Sequence, residues 1–452
     1  MLIRTLLLAI VLAMIFIPRS NAQATHDFTL QECLTYALEN SLEMQKALLE
    51  NAVGEQQMRE QKSKFLPQVE AYAQYLHYFA LPVYIFPEEE GQILSGGTAE
   101  GPYPVKLGQS DNLYAGVKAR QTLFDYSMLI GSQSQENFQA LQNLRLEQSE
   151  EELIYNVALN FYQIITRQQQ MQILEDNAQR LDRLQKILQL QYENDMVKQT
   201  DVRRIELNMA NLATQQQRLA AGIAQQKNLL KFLMGMPMED ELNLAYTVSE
   251  EVVQPMTLSP DFDTFTQSRL LEERKQLQQV ERKSTKGRYF PSLEAFAHVQ
   301  YQAQRDAFNF FDGNETWFPV HLLGVSLKIP IFNGFETTAQ MEQSTLELSR
   351  IELEKQQSEA QLSLAFENAR NELESAYRHV QEQEENQELA KEVYDQVELQ
   401  YKEGVTLLSE LLNTEAERRE AENTYQQALL DYQIAQLEML KATDNLKNLL
   451  NE

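Results

Sequence analysis

The chain has little of what enzymes and small exported domains are usually built from. Its 452 residues include one cysteine, one tryptophan, five histidines, 15 glycines and 12 prolines. The single cysteine, Cys33, excludes an intrachain disulfide, and it reads as a small buried apolar residue. The histidines His26, His77, His298, His321 and His379 are scattered, without the paired spacing of a zinc site. Phosphate-cradling glycine loops, a nucleophile elbow and a Cys/His pair are all missing. The sequence therefore reads as a non-enzyme with no metal site and no cofactor. Positive charge is scarce as well. Lys and Arg number 39 against 66 Asp and Glu, a formal charge of −27. Nucleic acid is excluded as a partner, because phosphate binding depends on clustered Lys and Arg. Acidity of this kind fits a solvated surface, or a lumen that favours cations.

Long apolar runs are confined to the first residues. Arg4, an apolar stretch from Leu6 to Ile17 and the small residues Ser20 and Ala22 read as a signal peptide over residues 1–22. An uncleaved anchor is the alternative, although the run falls short of the roughly 20 apolar residues that a bilayer span needs. Cleavage removes Arg4 and Arg19, taking −27 to −29. Cys33 then lies too far inside the chain to accept an N-terminal lipid. Any membrane contact must come from strands in a closed barrel, since lipid satisfies no open edge.

What is present is a pattern written twice. Lys64-Phe65-Leu66-Pro67 and the ensuing Val69, Ala71 and Tyr72 match Arg288-Tyr289-Phe290-Pro291 and Leu293, Ala295 and Phe296. Gly116-Val117 matches Gly324-Val325, and Tyr192-Glu193-Asn194-Asp195-Met196 parallels Tyr401-Lys402-Glu403-Gly404-Val405. The implied organisation is a first repeat over 23–234, a proline-bearing connector over 235–260 and a second repeat over 261–452.

Each repeat has two alternating segments, at about 65–79 and 113–124 and at about 289–302 and 319–332. One face of each is apolar, as in Val69, Ala71, Ala73 and Tyr75 or Leu323, Val325 and Leu327, and the other is polar. Period-two patterning over about 10 residues is the mark of a transmembrane strand, although a soluble sandwich shares it. The aromatics Tyr78, Phe79, Phe310, Phe311, Trp317 and Phe318 are placed to form an interfacial girdle. After each strand pair runs a proline-free stretch, Ser127 to Leu190 and Thr337 to Leu399. Each predicts a helix of roughly 60 residues, about 90 Å long, that requires coiled-coil partners. Four strands cannot close a barrel, because the smallest have about eight. Two or three copies must share one, and periodicity does not choose between them.

The duplicated order, the Phe65-Leu66-Pro67 and Tyr289-Phe290-Pro291 strand openings and the two hairpin tips resemble the TolC-like outer-membrane efflux protein family. The resemblance spans nearly the whole mature chain. It implies a mainly α chain with transmembrane β-barrel strands, four per protomer in a 12-strand homotrimeric barrel, above a periplasmic α-helical coiled-coil tunnel. It also implies a periplasmic adaptor, an inner-membrane pump and contact with outer-membrane lipid. In that family acidic side chains ring the closed periplasmic end, and those positions fall here on Glu410 and Asn413. Thr200, Asp201 and Tyr401 match positions that hold the closed state, and the basic partner expected at Thr406 is absent. The turns, with Asn194, Asp195, Met196 and Val197 in one and Glu403, Gly404, Val405, Thr406 and Leu407 in the other, are the expected adaptor contacts. The function so implied is an exit channel of a tripartite efflux or type I secretion system. The alternative is a coiled-coil structural or adhesive envelope protein without channel activity, while a passive porin would leave half the chain as surplus helix.

Overall fold

Alternation becomes strand and unbroken 3.6-residue periodicity becomes helix along most of the chain. A computed structural model describes residues 27–94, 96–98, 100–245, 260–313 and 316–450. The signal-peptide expectation and most of the connector lie outside these residues. In chain order the elements are β1 (Asp27–Phe28), α1 (Leu30–Asn40), α2 (Leu42–Ser63), β2 (Gln68–His77), β3 (Val83–Phe86), α3 (Glu88–Leu94), β4 (Tyr103–Lys106) and β5 (Asp111–Asp125). Then come α4 (Tyr126–Gly131), α5 (Gln135–Glu193), α6 (Gln199–Met234), β6 (Asn243–Leu244), α7 (Thr266–Gly287), β7 (Ser292–Arg305), β8 (Phe318–Lys328), α8 (Glu336–Lys402) and α9 (Leu408–Lys441). The fold is mainly helical, and α8 alone, with 67 residues, is about 100 Å long.

Two compact units divide the chain. One contains residues 50–144 and 269–357 and is built on an antiparallel sheet of order β2-β5-β7-β8. These are the four strands expected from alternation. The cross-strand neighbours Val69, Ala119 and Ala297, like Ala71, Val117 and Val299, put the apolar positions on one face. Among the described residues nothing covers that face: Val69 is 66% exposed, Leu323 83% and Val325 63%. On the opposite face Glu70 pairs with Lys118 at 2.8 Å, and Tyr72 bonds Gln300 and stacks on His298. The sheet is open, with β2 and β8 at its edges. Every helix connection lies at one end of it and both strand–strand connections at the other.

Glycine sets the spacing of the central strands. Gly116 faces Tyr72 across β2–β5, and Gly324 faces Phe296 across β7–β8. A Cβ on Gly116 would sit 2.5 Å from the Val299 carbonyl oxygen. Both strand entries use the same turn. The amides of Phe65 and Leu66 bond the carbonyls of Lys62 and Ser63 at 3.1 and 3.0 Å, and those of Tyr289 and Phe290 bond Lys286 and Gly287 at 3.2 and 3.0 Å. Nearby, α7 is fastened to α8 by Lys275–Glu352 at 2.7 Å and Arg274–Glu354 at 2.8 Å.

Residues 27–49, 145–245, 260–268 and 358–450 belong to the other unit, which is helical. Helix α1 starts on a capping box. The Thr29 amide donates to Glu32 at 2.8 Å and the Glu32 amide to Thr29 Oγ1 at 3.3 Å. Its apolar side, with fully buried Cys33, Leu34 and Ala37, packs into a core with Val157, Phe161, Ile164, Leu230 and Met234. Burial pushes the Cys33 thiol up to about 12, so the residue is inert apolar packing. A second core joins α8 and α9 through Ala369, Ala376, Ala428 and Ala435 with Phe366 and Tyr432. Small residues at helical spacing let the two backbones approach closely.

Three features depart from the sequence expectations. The helix anticipated from Ser127 is interrupted. Helix α4 ends at Gly131, a single 3-10 turn covers Ser132–Ser134, and α5 begins at Gln135. The β2–β5 connection carries its own hairpin, β3–β4, around α3. Among the girdle candidates Phe79 and Phe311 are 97% and 82% exposed, whereas Phe310 is buried at 1%. Phe310 packs edge-on against Tyr75 and Phe308 and lies under the Arg305 guanidinium, so it cannot face a lipid interface.

Candidate functional site

The two hairpin tips, α5–α6 and α8–α9, are built alike. At the end of α5 the Asp195 amide bonds the Tyr192 carbonyl at 3.0 Å and the Met196 amide bonds Gln191 at 2.8 Å. At the end of α8 Gly404 bonds Tyr401 at 3.1 Å and Val405 bonds Gln400 at 2.9 Å. This bond pair closes a helix when the residue after it turns left-handed. Gly404 does so with φ 75° and Asp195 with φ 56°. The next helices start from the extended residues Lys198 and Leu407, and neither start has a side-chain cap. Asp201 and Glu410 hold the same place in their helices, their amides bonded to the Lys198 and Leu407 carbonyls at 3.0 Å. A carboxylate there meets the positive end of the helix dipole.

The tips converge on one apolar cluster, in which Leu181, Leu188, Val202, Ile205 and Leu408 are buried and Val197, Tyr401 and Leu412 half-buried. Burial, and after it the negative charge of Asp201, raise the Tyr401 phenol above its ordinary range. The structure thus brings Tyr401 and Asp201 together. Thr200 is exposed, as are Glu410 and Asn413, which lie one turn apart on one side of α9. In the turns Asn194, Asp195, Glu403 and Gly404 are exposed and Thr406 is half-buried. Met196, Val405 and Leu407 present apolar side chains at 73%, 72% and 74% exposure.

Sequence reasoning missed a buried polar cluster set back from the tips. Arg180 Nε donates to Glu415 Oε1 at 2.9 Å, their side chains 18% and 7% exposed. The Arg418 guanidinium lies over the Tyr394 ring at 5.1 Å and its Nε reaches Glu422 at 2.9 Å. Tyr394 is pushed strongly upward, by burial first and then by the charges of Glu415 and Glu398. Among the described residues, both side-chain amide atoms of fully buried Asn177 and the second carboxylate oxygen of Glu415 have no hydrogen-bond partner. The one signal in the sequence was Arg180, a cation between the apolar positions Leu174 and Leu181. Nothing local tied it to α9.

Among the described residues no group of His, Cys, Asp and Glu could hold a metal. His298 stacks on Tyr72 and His321 meets Tyr301 edge-on, while His77 Nδ1 lies 2.8 Å from Asp111. Among the same residues no helix is long and apolar enough to cross a membrane.

Comparison with known proteins places this architecture. Residues 268–445 match the family model described as Outer membrane efflux protein. The family resemblance is borne out. Among solved structures CusC superposes with a TM-score of 0.71 at 14% identity, covering 92% of each chain. The open state of the Neisseria gonorrhoeae MtrE outer-membrane channel gives 0.68 at 18% identity, over 92% of this chain and 89% of that one. The Campylobacter jejuni CmeC outer-membrane channel gives 0.69 at 13%, over 92% and 85%. At these identities the fold is what is shared, and it is that of outer-membrane efflux channels. No curated protein matches the chain.

Proposed function

We propose that this chain is the outer-membrane exit channel of a tripartite efflux or type I secretion system. The observation that carries the reading is the uncovered apolar face of a four-stranded sheet with two open edges. Water tolerates neither a contiguous apolar patch of this size nor a long bare edge, and hydrocarbon tolerates the face only when the edges are paired. Three copies sharing 12 strands satisfy both demands, with the helical connections on the periplasmic side. The matching strand entries, glycines and hairpin turns support a duplicated chain, 23–234 and 261–452, joined by the 235–260 connector.

The tips serve as the periplasmic gate in this reading. Glu410 faces the pore as one carboxylate per copy, Asn413 extends the ring without charge, and Tyr401, Asp201 and Thr200 hold the hairpins closed. Exposed Met196, Val405 and Leu407, with the turn residues between Asn194 and Val197 and between Glu403 and Thr406, form the surface for a periplasmic adaptor that leads to an inner-membrane pump. The channel conducts; the chain performs no catalysis and needs no cofactor.

Planar-bilayer recording of the purified protein tests this. Stepwise, cation-selective conductance from a detergent-resistant oligomer is expected, with Glu410→Ala lowering the preference for cations because like charges ring a narrow pore. Absence of conductance from protein that is correctly assembled would point to a structural coiled-coil protein instead.

A further inference from the structure

The helical end of the sheet carries a set of cations that form no salt bridge among the described residues. Farther from the strands, the cations of α7 are ion-paired, as in Arg274–Glu354 and Lys275–Glu352. At the strand entries this stops. Lys62, Lys64, Lys283, Lys286 and Arg288 are exposed and make no salt bridge among the described residues. Lys64 donates only to the neutral Gln61 amide oxygen at 2.7 Å, and Arg288 to that of Gln340 at 2.7 Å. In a chain of charge −27, five such cations at one level are not what composition alone would distribute.

They also border a recess. Lys62, Lys64 and Arg288 line a cavity of about 690 Å³ whose walls set Met58 and Phe138 among serine and glutamine side chains, with Glu60 as its one carboxylate. Beside it Leu66, Tyr289 and Phe290 stand 61%, 50% and 48% exposed. Cations around a recess of mixed apolar and polar lining, with aromatics at the margin of the sheet proposed above to face lipid, match a molecule with an anionic head and an acyl body.

We infer that this collar is a binding site for anionic phospholipid of the inner leaflet. The phosphate is held by Lys62, Lys64 and Arg288, and the acyl chains lie along the recess and the sheet. The inference rests on the barrel reading above, which sets this end of the strands at the membrane surface. Lys62 and Lys286 also sit in the last turns of α2 and α7, where a cation complements the dipole. Lys64 and Arg288 lie beyond those helices, so the dipole does not explain them.

Native mass spectrometry of the full-length oligomer, released from mixed micelles of equimolar phosphatidylglycerol and phosphatidylcholine, tests the site. The wild type is expected to retain phosphatidylglycerol preferentially. The combined variant Lys62→Gln, Lys64→Gln, Arg288→Gln should lose that preference by about fivefold or more per charge removed. The charge-keeping set Lys62→Arg, Lys64→Arg, Arg288→Lys should restore it. Equal retention of both lipids by the wild type, or an unchanged preference in the glutamine variant, overturns the inference and leaves the barrel reading standing. So does a glutamine variant that changes oligomer size alone, since the cations would then answer carboxylates of a neighbouring copy. Retention of neither lipid removes the barrel reading along with it.

Discussion

Arg180 and Glu415 stand 235 positions apart and meet at 2.9 Å with little access to water. Removing one member of such a pair leaves the other charged, buried and unanswered, at a cost of about 3–5 kcal/mol. Glu415→Ala should therefore lower the melting temperature and speed amide exchange around the tips. The double change Arg180→Met, Glu415→Leu should recover most of the loss, because an apolar pair of similar volume carries no desolvation cost. Tyr401 yields a pH prediction. Its phenol is raised in the folded state from 10.0, so the folded form keeps its proton where the unfolded form releases it. Stability from this group is complete below pH 10 and is lost as pH rises through the folded value. Tyr401→Phe should flatten the fall in melting temperature above pH 10 and leave neutral behaviour unchanged. At this scale Tyr401, Asp201 and Glu410 were singled out by the family resemblance alone, at positions in the two tips. The sequence did not disclose Asn177, Arg180, Tyr394 and Glu415, because their partners come from helices far apart in the chain.

Hairpin turns and strands are where the sequence spoke most clearly. Alternation located all four sheet strands, and absence of proline located α8 almost to its ends. The break between α4 and α5 escaped notice because Gly131, Ser132 and Ser134 are tolerated inside helices as well as at their ends. The β3–β4 hairpin escaped because its strands have four residues each, too few to establish a period. Gly404 turns left-handed at φ 75°, which costs residues other than Gly, Asn and Asp about 1–2 kcal/mol. Gly404→Val should destabilise the second tip by that amount in thermal melts, whereas Asp195→Gly, at the matching position of the first tip, should not. Gly116→Ala should be worse, since its methyl group meets the backbone of β7 at 2.5 Å. The expected readout is a lower yield of heat-stable oligomer.

For the molecule as a whole, the open edges make a prediction that no single residue makes. Cysteines placed on β2 and β8, in a Cys33→Ala background, should form disulfides only between copies. Under oxidation the denaturing-gel ladder should rise to three copies and stop. A ladder continuing past three would describe an open array, and no ladder would mean that these edges never meet.

The bare apolar face carries a consequence for biogenesis. The helical unit buries Phe161, Ile164 and Met234 within one chain, so its formation is a first-order event, indifferent to how many chains are present. In the proposed shared barrel the face bearing Leu323 and Val325 is covered by lipid and its edges are paired by other copies, which would make completion of the sheet a high-order event. Dilution should leave the appearance of helical circular dichroism unchanged while delaying the heat-stable oligomer. One polypeptide then matures on two clocks, and the slow one is set by the abundance of its siblings.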